Sequence, residues 1–227
     1  MSGTAIFDLD QTLTRQATWM RFVWRFNGHR PTFWIRVPWL GVSAVAHKLG
    51  LIDRTGIKNR FMSTFARAER ETIEAAGRSF AATEIRTGLR AGVHNLIEQH
   101  RAFGDRIYLA TAASDFIAMP IAEGLGLDGV ICTQTDWSRA GQGGVRVAGL
   151  NCYGAEKLRR VREAIDSGAL AGPITVYSDD VSDLQLLLLA DRGVAANPST
   201  QLRNQARKRG LPIINLDLPD ATSPANM

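Results

Sequence analysis

The chain has 227 residues, with 27 Lys and Arg against 22 Asp and Glu, a formal net charge of +5 and 45% hydrophobic residues. That is an ordinary globular composition, long enough to bury a sizeable core as one domain or as one domain with an insertion. Two cysteines, Cys132 and Cys152, lie far apart with no Cys-x-x-Cys, which excludes a redox motif and fits a reducing compartment.

Ala5-Ile6-Phe7 reads as a buried strand that ends in two carboxylates, Asp8 and Asp10, followed by a polar turn at Gln11-Thr12. Strand residues i and i+2 point to the same side, so both acids are expected together at the carboxyl end of a strand, where open α/β sheets bind ligands. Two close carboxylates repel unless a cation offsets them, and a hard divalent ion with oxygen ligands, most simply Mg²⁺, suits the pair. With this strand beginning a few residues after Met1, no leader peptide is expected and a cytoplasmic location follows.

Residues 15 to about 85 show helical, aromatic character: Trp19, Phe22, Trp24, Phe26, Phe33, Trp34, Trp39, Phe61 and Phe65 fall here. The charge is uneven too. Arg15 to Arg70 holds 11 Lys and Arg and two acids, a net +9, and the remainder holds 16 and 20, a net −4. A basic, Trp-rich insert can attract an anionic membrane surface, a polyanion or nothing at all; nucleic acid is not expected. No segment crosses a membrane: Val37 to Ala46, the longest uncharged run of the insert, has ten residues and contains Pro38, against the ~20 a span needs.

After residue 85, helix and strand alternate. Helix patterns at Ala91–Arg101, Phe116–Gly124, Lys157–Ile165, Leu184–Leu189 and Ser199–Arg209 each feed a strand pattern, at Arg106, Asp128, Ile174, Gly193 and Pro212. This predicts a parallel, doubly wound α/β sheet with right-handed crossovers. Gly141 to Gly144 marks a tight turn in a small hairpin, and the tail from Pro219 is read as frayed. His29, His47, His94 and His100 have no metal-ligand spacing and are assigned to surface or packing.

Three further sites carry chemistry. The strand at Arg106–Ala110 ends in Thr111, followed by Ala112-Ala113-Ser114, and a short hydroxyl among small residues suits a phosphate oxygen, with Ser114 as the second choice. Lys157 opens an amphipathic helix in which Leu158, Val161 and Ile165 recur at helical spacing. The strand at Ile174 leads into Ser178-Asp179-Asp180-Val181-Ser182-Asp183, three acids in five residues. Capping of the following helix accounts for one acid and leaves the others for a metal.

Phe7-Asp8-Leu9-Asp10-Gln11-Thr12-Leu13-Thr14, together with Thr111, Lys157 and the Asp179–Asp183 cluster in that order, resembles the four motifs of the haloacid dehalogenase superfamily. Tyr177 to Leu184 and Ala195-Ala196-Asn197-Pro198 are similar to its phosphoserine-phosphatase-like branch. The resemblance implies a Rossmann-like core over 1–14 and 86–227 with a helical cap inserted at 15–85. It implies an Mg²⁺-dependent phosphatase in which Asp8 is the nucleophile, Asp10 the general acid and base, and Lys157 the neutralising cation. Thr111, Ala112 and Lys157 would bind phosphate. The metal would be held by Asp8, Asp10 through its backbone carbonyl, and Asp179, with Asp183 acting through water. Asp10 sets the chain apart from the dehalogenases and P-type ATPases of the superfamily, which lack it.

Gln11 stands where the family often has Gly, and Asp180 where phosphoserine phosphatases usually have Gly. No acid lies between Asp10 and Asp53, where those enzymes carry the Glu that binds the amino group, so phosphoserine is not the expected substrate. A small phosphorylated metabolite is. The alternatives are a lipid phosphate such as phosphatidylglycerolphosphate, with the chain peripheral at the inner membrane face, and a non-catalytic scaffold acting as a binding module. Oligomeric state stays open.

Overall fold

The computed structural model describes residues 2–65 and 67–220. Strand β1 (Thr4–Phe7) is followed by a tight turn at Leu9–Leu13 and then by four helices, α1 (Thr18–Asn27), α2 (Pro31–Lys48), α3 (Arg54–Met62) and α4 (Arg70–Thr83). Next come α5 (Val93–Ala102), β2 (Arg106–Ser114), α6 (Asp115–Gly124), β3 (Gly129–Thr133) and the short strands β4 (Thr135–Asp136) and β5 (Arg146–Val147). The chain continues through α7 (Ala155–Asp166), β6 (Ile174–Ser178), α8 (Leu184–Leu189), β7 (Arg192–Ala196), α9 (Thr200–Arg209) and β8 (Ile213–Ile214).

Six strands form one parallel sheet in the order β3-β2-β1-β6-β7-β8. This is the doubly wound α/β arrangement that the alternation of strands and helices predicts. The strand order reverses between β1 and β6, whose residues pair in register from Thr4↔Ile174 to Phe7↔Tyr177. Ligands of such sheets bind at the carboxyl ends of the strands flanking that reversal. Asp8 and Asp179 are the first residues beyond those two strands.

The sheet buries both faces, so β1 is buried throughout and apolar from Ala5 to Phe7. Ala5 and Phe7 enter one core, with Leu96, Leu109 and Phe116, while Ile6 enters the other, with Val161, Val176 and Leu187. Phe7 stacks on Tyr177 with ring centroids 4.7 Å apart. Behind them His100 is buried, paired with Asp105 and with the Tyr177 hydroxyl, which is the packing role expected of it. Cys132 and Cys152 are buried and free, and burial pushes their thiols up to about 12 and about 11, out of the reactive range.

The hairpin around Gly141–Gly144 is present as the antiparallel pair β4 and β5. One boundary differs from expectation. Strand β2 does not end at Thr111 but runs on to Ser114, because a shift in its pairing with β3 between Ala110 and Ser114 lets the chain bulge without leaving the sheet. The C-terminal stretch read as frayed lies, from residue 221 onward, outside the described residues.

The helices between β1 and α5 pack through aromatic rings. Phe22 stacks on Phe26 and meets Phe65 and Phe80 edge-on. Helix α4 lies against α6 at van der Waals range of the backbones: a Cβ added to Gly77 would fall 1.9 Å from the Phe116 carbonyl oxygen. Among the described residues no helix is long and apolar enough to cross a membrane.

Candidate active site

The strand ends bring four of the expected residues together. The Lys157 ammonium, in the first turn of α7, donates to Asp8 Oδ1 at 2.8 Å and to Asp183 Oδ2 at 2.7 Å. All three side chains are buried. Asp8 Oδ2 and Asp179 Oδ1 flank the Thr12 hydroxyl at 3.3 and 3.1 Å. A hydroxyl has one proton to donate, so one of these two carboxylates goes without it at any moment.

The electrostatics follow from this crowding. Burial, reinforced by the charges of Asp183 and Asp179, pushes the Asp8 carboxyl up to about 7 against the pull of Lys157. Burial also lifts Asp179, to about 6, against its bond from Thr12, with Asp180 and Asp183 adding to the rise. Burial disfavours the Lys157 ammonium, but Asp8 and Asp183 outweigh it and hold the lysine above its ordinary range.

Asp10 does not extend the strand. The turn Leu9–Leu13 carries it out of β1, and Gln11 beside it takes φ +62°, the left-handed conformation that glycine favours. The alternation expected of strand residues therefore does not set its direction. Its Oδ1 accepts from the backbone N–H and the hydroxyl of Thr18, both at 2.7 Å, and so caps the start of α1. Burial holds the Asp10 carboxyl above its usual range despite those bonds. A carboxyl group whose protonated form is favoured by burial is suited to protonating a leaving group.

Thr111 is fully buried on the β2 bulge, where its hydroxyl oxygen accepts from the Ala113 N–H. Ser114 Oγ is buried with no partner among the described residues. Asp183 makes no capping bond to α8; it takes Lys157 and the Ser178 hydroxyl instead. Asp180, whose purpose the sequence leaves open, caps the turn Val181–Asp183 by accepting from the Ser182 N–H, and it also receives the Tyr153 hydroxyl. Those bonds hold it below the usual carboxylate range although burial works the other way.

The carboxylates that could hold a cation are a pair, Asp8 and Asp179, since Asp10 is turned to Thr18 and Asp183 to Lys157. Among the described residues no three His, Cys, Asp or Glu side chains gather as a metal cage. Two observations nevertheless fit an oxygen-seeking ion. The pair shares one hydroxyl, and Asp183 Oδ1 is buried without a hydrogen-bond partner among the described residues. Mg²⁺ is bound by one or two carboxylates together with water and substrate oxygens rather than by a full protein cage.

Sequence reasoning missed one element of the site. Lys58, on α3, is buried, donates to the Ala112 carbonyl and to Asn151 Oδ1 at 3.2 Å, and lies 5.0 Å from the centre of the Trp19 ring. Burial lowers its pKa to about 8, against the attraction of Asp10. Lys58, Arg54, Trp19 and Asn151 line a pocket of about 180 Å³ that has Asp10 at its wall. The available signal was the i, i+4 spacing of Arg54 and Lys58, which puts two cations on one helix face.

This fold, with its acids at the strand reversal, defines a class: the chain belongs to the haloacid dehalogenase-like hydrolases, whose family model matches residues 5–188. Within that class, proteins named as phosphatases and structures of phosphoserine phosphatases are among those the chain is similar to. It is 24% identical to the histidinol-phosphatase of Neisseria meningitidis serogroup C, across 95% of this chain and 99% of that one. A solved structure of a protein of unknown function from Bordetella pertussis Tohama I superimposes with a TM-score of 0.81, at 27% identity, over 95% of this chain and 99% of the other. A substrate-bound phosphoserine phosphatase gives 0.63 at 16% identity, over 97% and 95%, and shares the fold.

Proposed function

We propose that the chain hydrolyses a small phosphomonoester, other than phosphoserine, through an aspartyl-phosphate on Asp8. Asp8 attacks phosphorus while Asp10 gives its proton to the leaving oxygen as the ester bond breaks. Asp10 then takes a proton from the water that cleaves the acyl phosphate. Lys157 fixes the nucleophile's orientation and sets a buried positive charge beside the transferred group. Thr111 and the Ala112 backbone border the phosphate. Mg²⁺ held by Asp8, Asp179 and the Asp10 carbonyl, with Asp183 behind a water, would neutralise charge on the phosphoryl oxygens.

The supporting observation is the set of contacts that gathers Asp8, Lys157, Asp179 and Asp183 at the sheet reversal, with Asp10 at the wall of the adjoining pocket. We assign residues 15–85 as a cap, with α1 and α3 covering the pocket through Trp19 and Lys58. The pocket's size suits a small alcohol. Its one carboxylate is Asp10, and Lys58 and Arg54 face the space instead. An ammonium group on the leaving alcohol finds no acid there besides Asp10, which is engaged in proton transfer. An alcohol with a carboxylate, carbonyl or hydroxyl does find donors.

The test is Mg²⁺-dependent turnover of a panel that includes histidinol phosphate, phosphoserine and carboxylated or sugar phosphomonoesters. The amine-free esters should lead in kcat/KM. A clear preference for histidinol phosphate would transfer the Neisseria relative's activity to this chain and overturn the pocket reading. A lipid phosphate is the second reading, favoured by the exposed apolar surface of α2; with it goes a cytoplasmic chain resting at the inner membrane face.

A further inference from the structure

Helix α2 is apolar on two opposite sides. Its inner stripe, Phe33, Leu40 and Ser43, is buried, with Val37 packed at its edge. At ~100° per residue the outward residues Trp34, Ile35, Trp39, Val42, Val45 and Leu49 fall in one arc of about 140°, centred opposite that stripe. Their exposures are large: 79% for Ile35, 67% for Trp39 and 70% for Leu49. A helix that is hydrophobic all round is ordinarily buried all round. Trp34, at one edge of the outer arc, meets the Trp24 ring and donates to the Gly28 carbonyl, while Ile35, Trp39, Val42, Val45 and Leu49 stay largely exposed among the described residues. A contiguous exposed apolar patch of this kind marks an interaction surface.

The charges at its borders identify the occupant. Arg36 and Lys48 are the charged residues of α2 apart from His47; Lys48 borders the outer arc, whereas Arg36 lies on the inner side and donates to the Ser63 carbonyl. No Asp or Glu occurs between Asp10 and Asp53. A two-fold pairing of this face with a second copy would bring like charges together with no acid to answer them. An anionic lipid surface answers both features: the apolar arc enters the boundary of headgroup and acyl chain, and the long Lys48 side chain at its border reaches the phosphates. The helix has 18 residues with Pro38 inside and lies on such a surface without spanning it. We infer that α2 docks the protein on an anionic membrane surface through Trp34, Trp39, Val42 and their neighbours. The inference does not depend on which phosphate the pocket accepts.

The full chain should cosediment with vesicles of equimolar phosphatidylcholine and phosphatidylglycerol and not with phosphatidylcholine alone. The binding should weaken as salt is added, because screening sets in at ~10 Å in 0.1 M salt. The double variant Trp39→Glu/Val42→Glu should lower partitioning by about tenfold or more, since it removes buried apolar area and adds repulsive charge. It should leave hydrolysis of p-nitrophenyl phosphate unchanged. Lys48→Glu should weaken binding without touching the apolar arc. In the unmodified chain, brominated acyl chains should quench tryptophan emission, a reading that needs no variant. Absence of binding at low salt, equal binding by the double variant, or a concentration-dependent dimer that the double variant abolishes would each overturn the inference, the last by giving the face to a second copy.

Discussion

The Arg90 guanidinium grips the backbone carbonyl of Gln11 with two hydrogen bonds, from Nε at 3.0 Å and Nη2 at 2.8 Å. Gln11 is the left-handed residue of the turn between Asp8 and Thr12, so an arginine 79 positions away fixes the loop that aims the candidate nucleophile. The same guanidinium is anchored by Asp217, and the Arg90 N–H donates to the Leu13 carbonyl at the far end of the turn.

Gln11→Gly is therefore expected to stabilise the fold by about 0.5–1 kcal/mol, since glycine takes φ > 0 without the strain an L-residue meets. Gln11→Val should destabilise it. Arg90→Ala should cost about 1–3 kcal/mol for its charge-assisted bonds and lower kcat as the turn loosens. Urea unfolding with parallel kinetics checks all three; equal stability of the Gly and Val variants would show that the turn relaxes freely.

Lys157→Met leaves Asp8 and Asp183 buried without their shared cation. Breaking a buried charge pair from one side costs about 3–5 kcal/mol, and removing a positive charge beside a transferring phosphoryl group costs about 10²–10³ in kcat. Lys48→Ala, on the exposed rim of α2, should change neither stability nor turnover of a soluble ester. Thermal melts and p-nitrophenyl phosphate assays separate the two lysines.

Lys58 is expected to make the pocket beside Asp10 pH-sensitive. Its folded pKa of about 8 lies below the ordinary 10.5, so between those values the unfolded chain holds the proton and the folded chain does not. Stability contributed by this group thus rises with pH across that window, while the ammonium available to a bound acceptor is lost. For the preferred substrate, KM should climb above pH ~8 with kcat less affected, and Lys58→Met should abolish that limb. A KM limb that persists in the variant would remove Lys58 from substrate contact.

Beryllium fluoride with Mg²⁺ should inhibit the protein and raise its melting temperature, because a ligand bound only by the folded state stabilises it. Asp8→Asn should lose both turnover and the melting shift. Retained turnover in that variant would displace Asp8 as nucleophile.

The sheet could be read from the chain because each parallel strand is a short apolar run fed by an amphipathic helix. The acids could be read because strand ends at the reversal are where charge is tolerated. Asp8, Lys157, Asp179 and Asp183 stand out in the sequence through their order along the chain, which resembles that of the haloacid dehalogenase motifs. Asp10 was found for a reason the fold does not use: it sits on a turn, held by Thr18, and not on the alternating side of a strand. Lys58 and Asn151 stayed hidden because their meeting joins α3 to the loop before α7 across 93 residues. In the sequence Lys58 is one more cation in a basic insert. Asp180 could not be assigned because Tyr153 reaches it only once the chain folds back; its bond from Ser182 is a local turn contact.

The contact of Gly77 with the Phe116 carbonyl has a mechanical consequence. Two helices that meet backbone to backbone cannot slide or rock without a clash, since closely packed interfaces switch between discrete arrangements and do not deform smoothly. Helix α4 is thereby riveted to α6, and α6 follows directly from the bulged strand that carries Thr111. Helices α2 and α3, the latter bearing Lys58, lie outside that rivet.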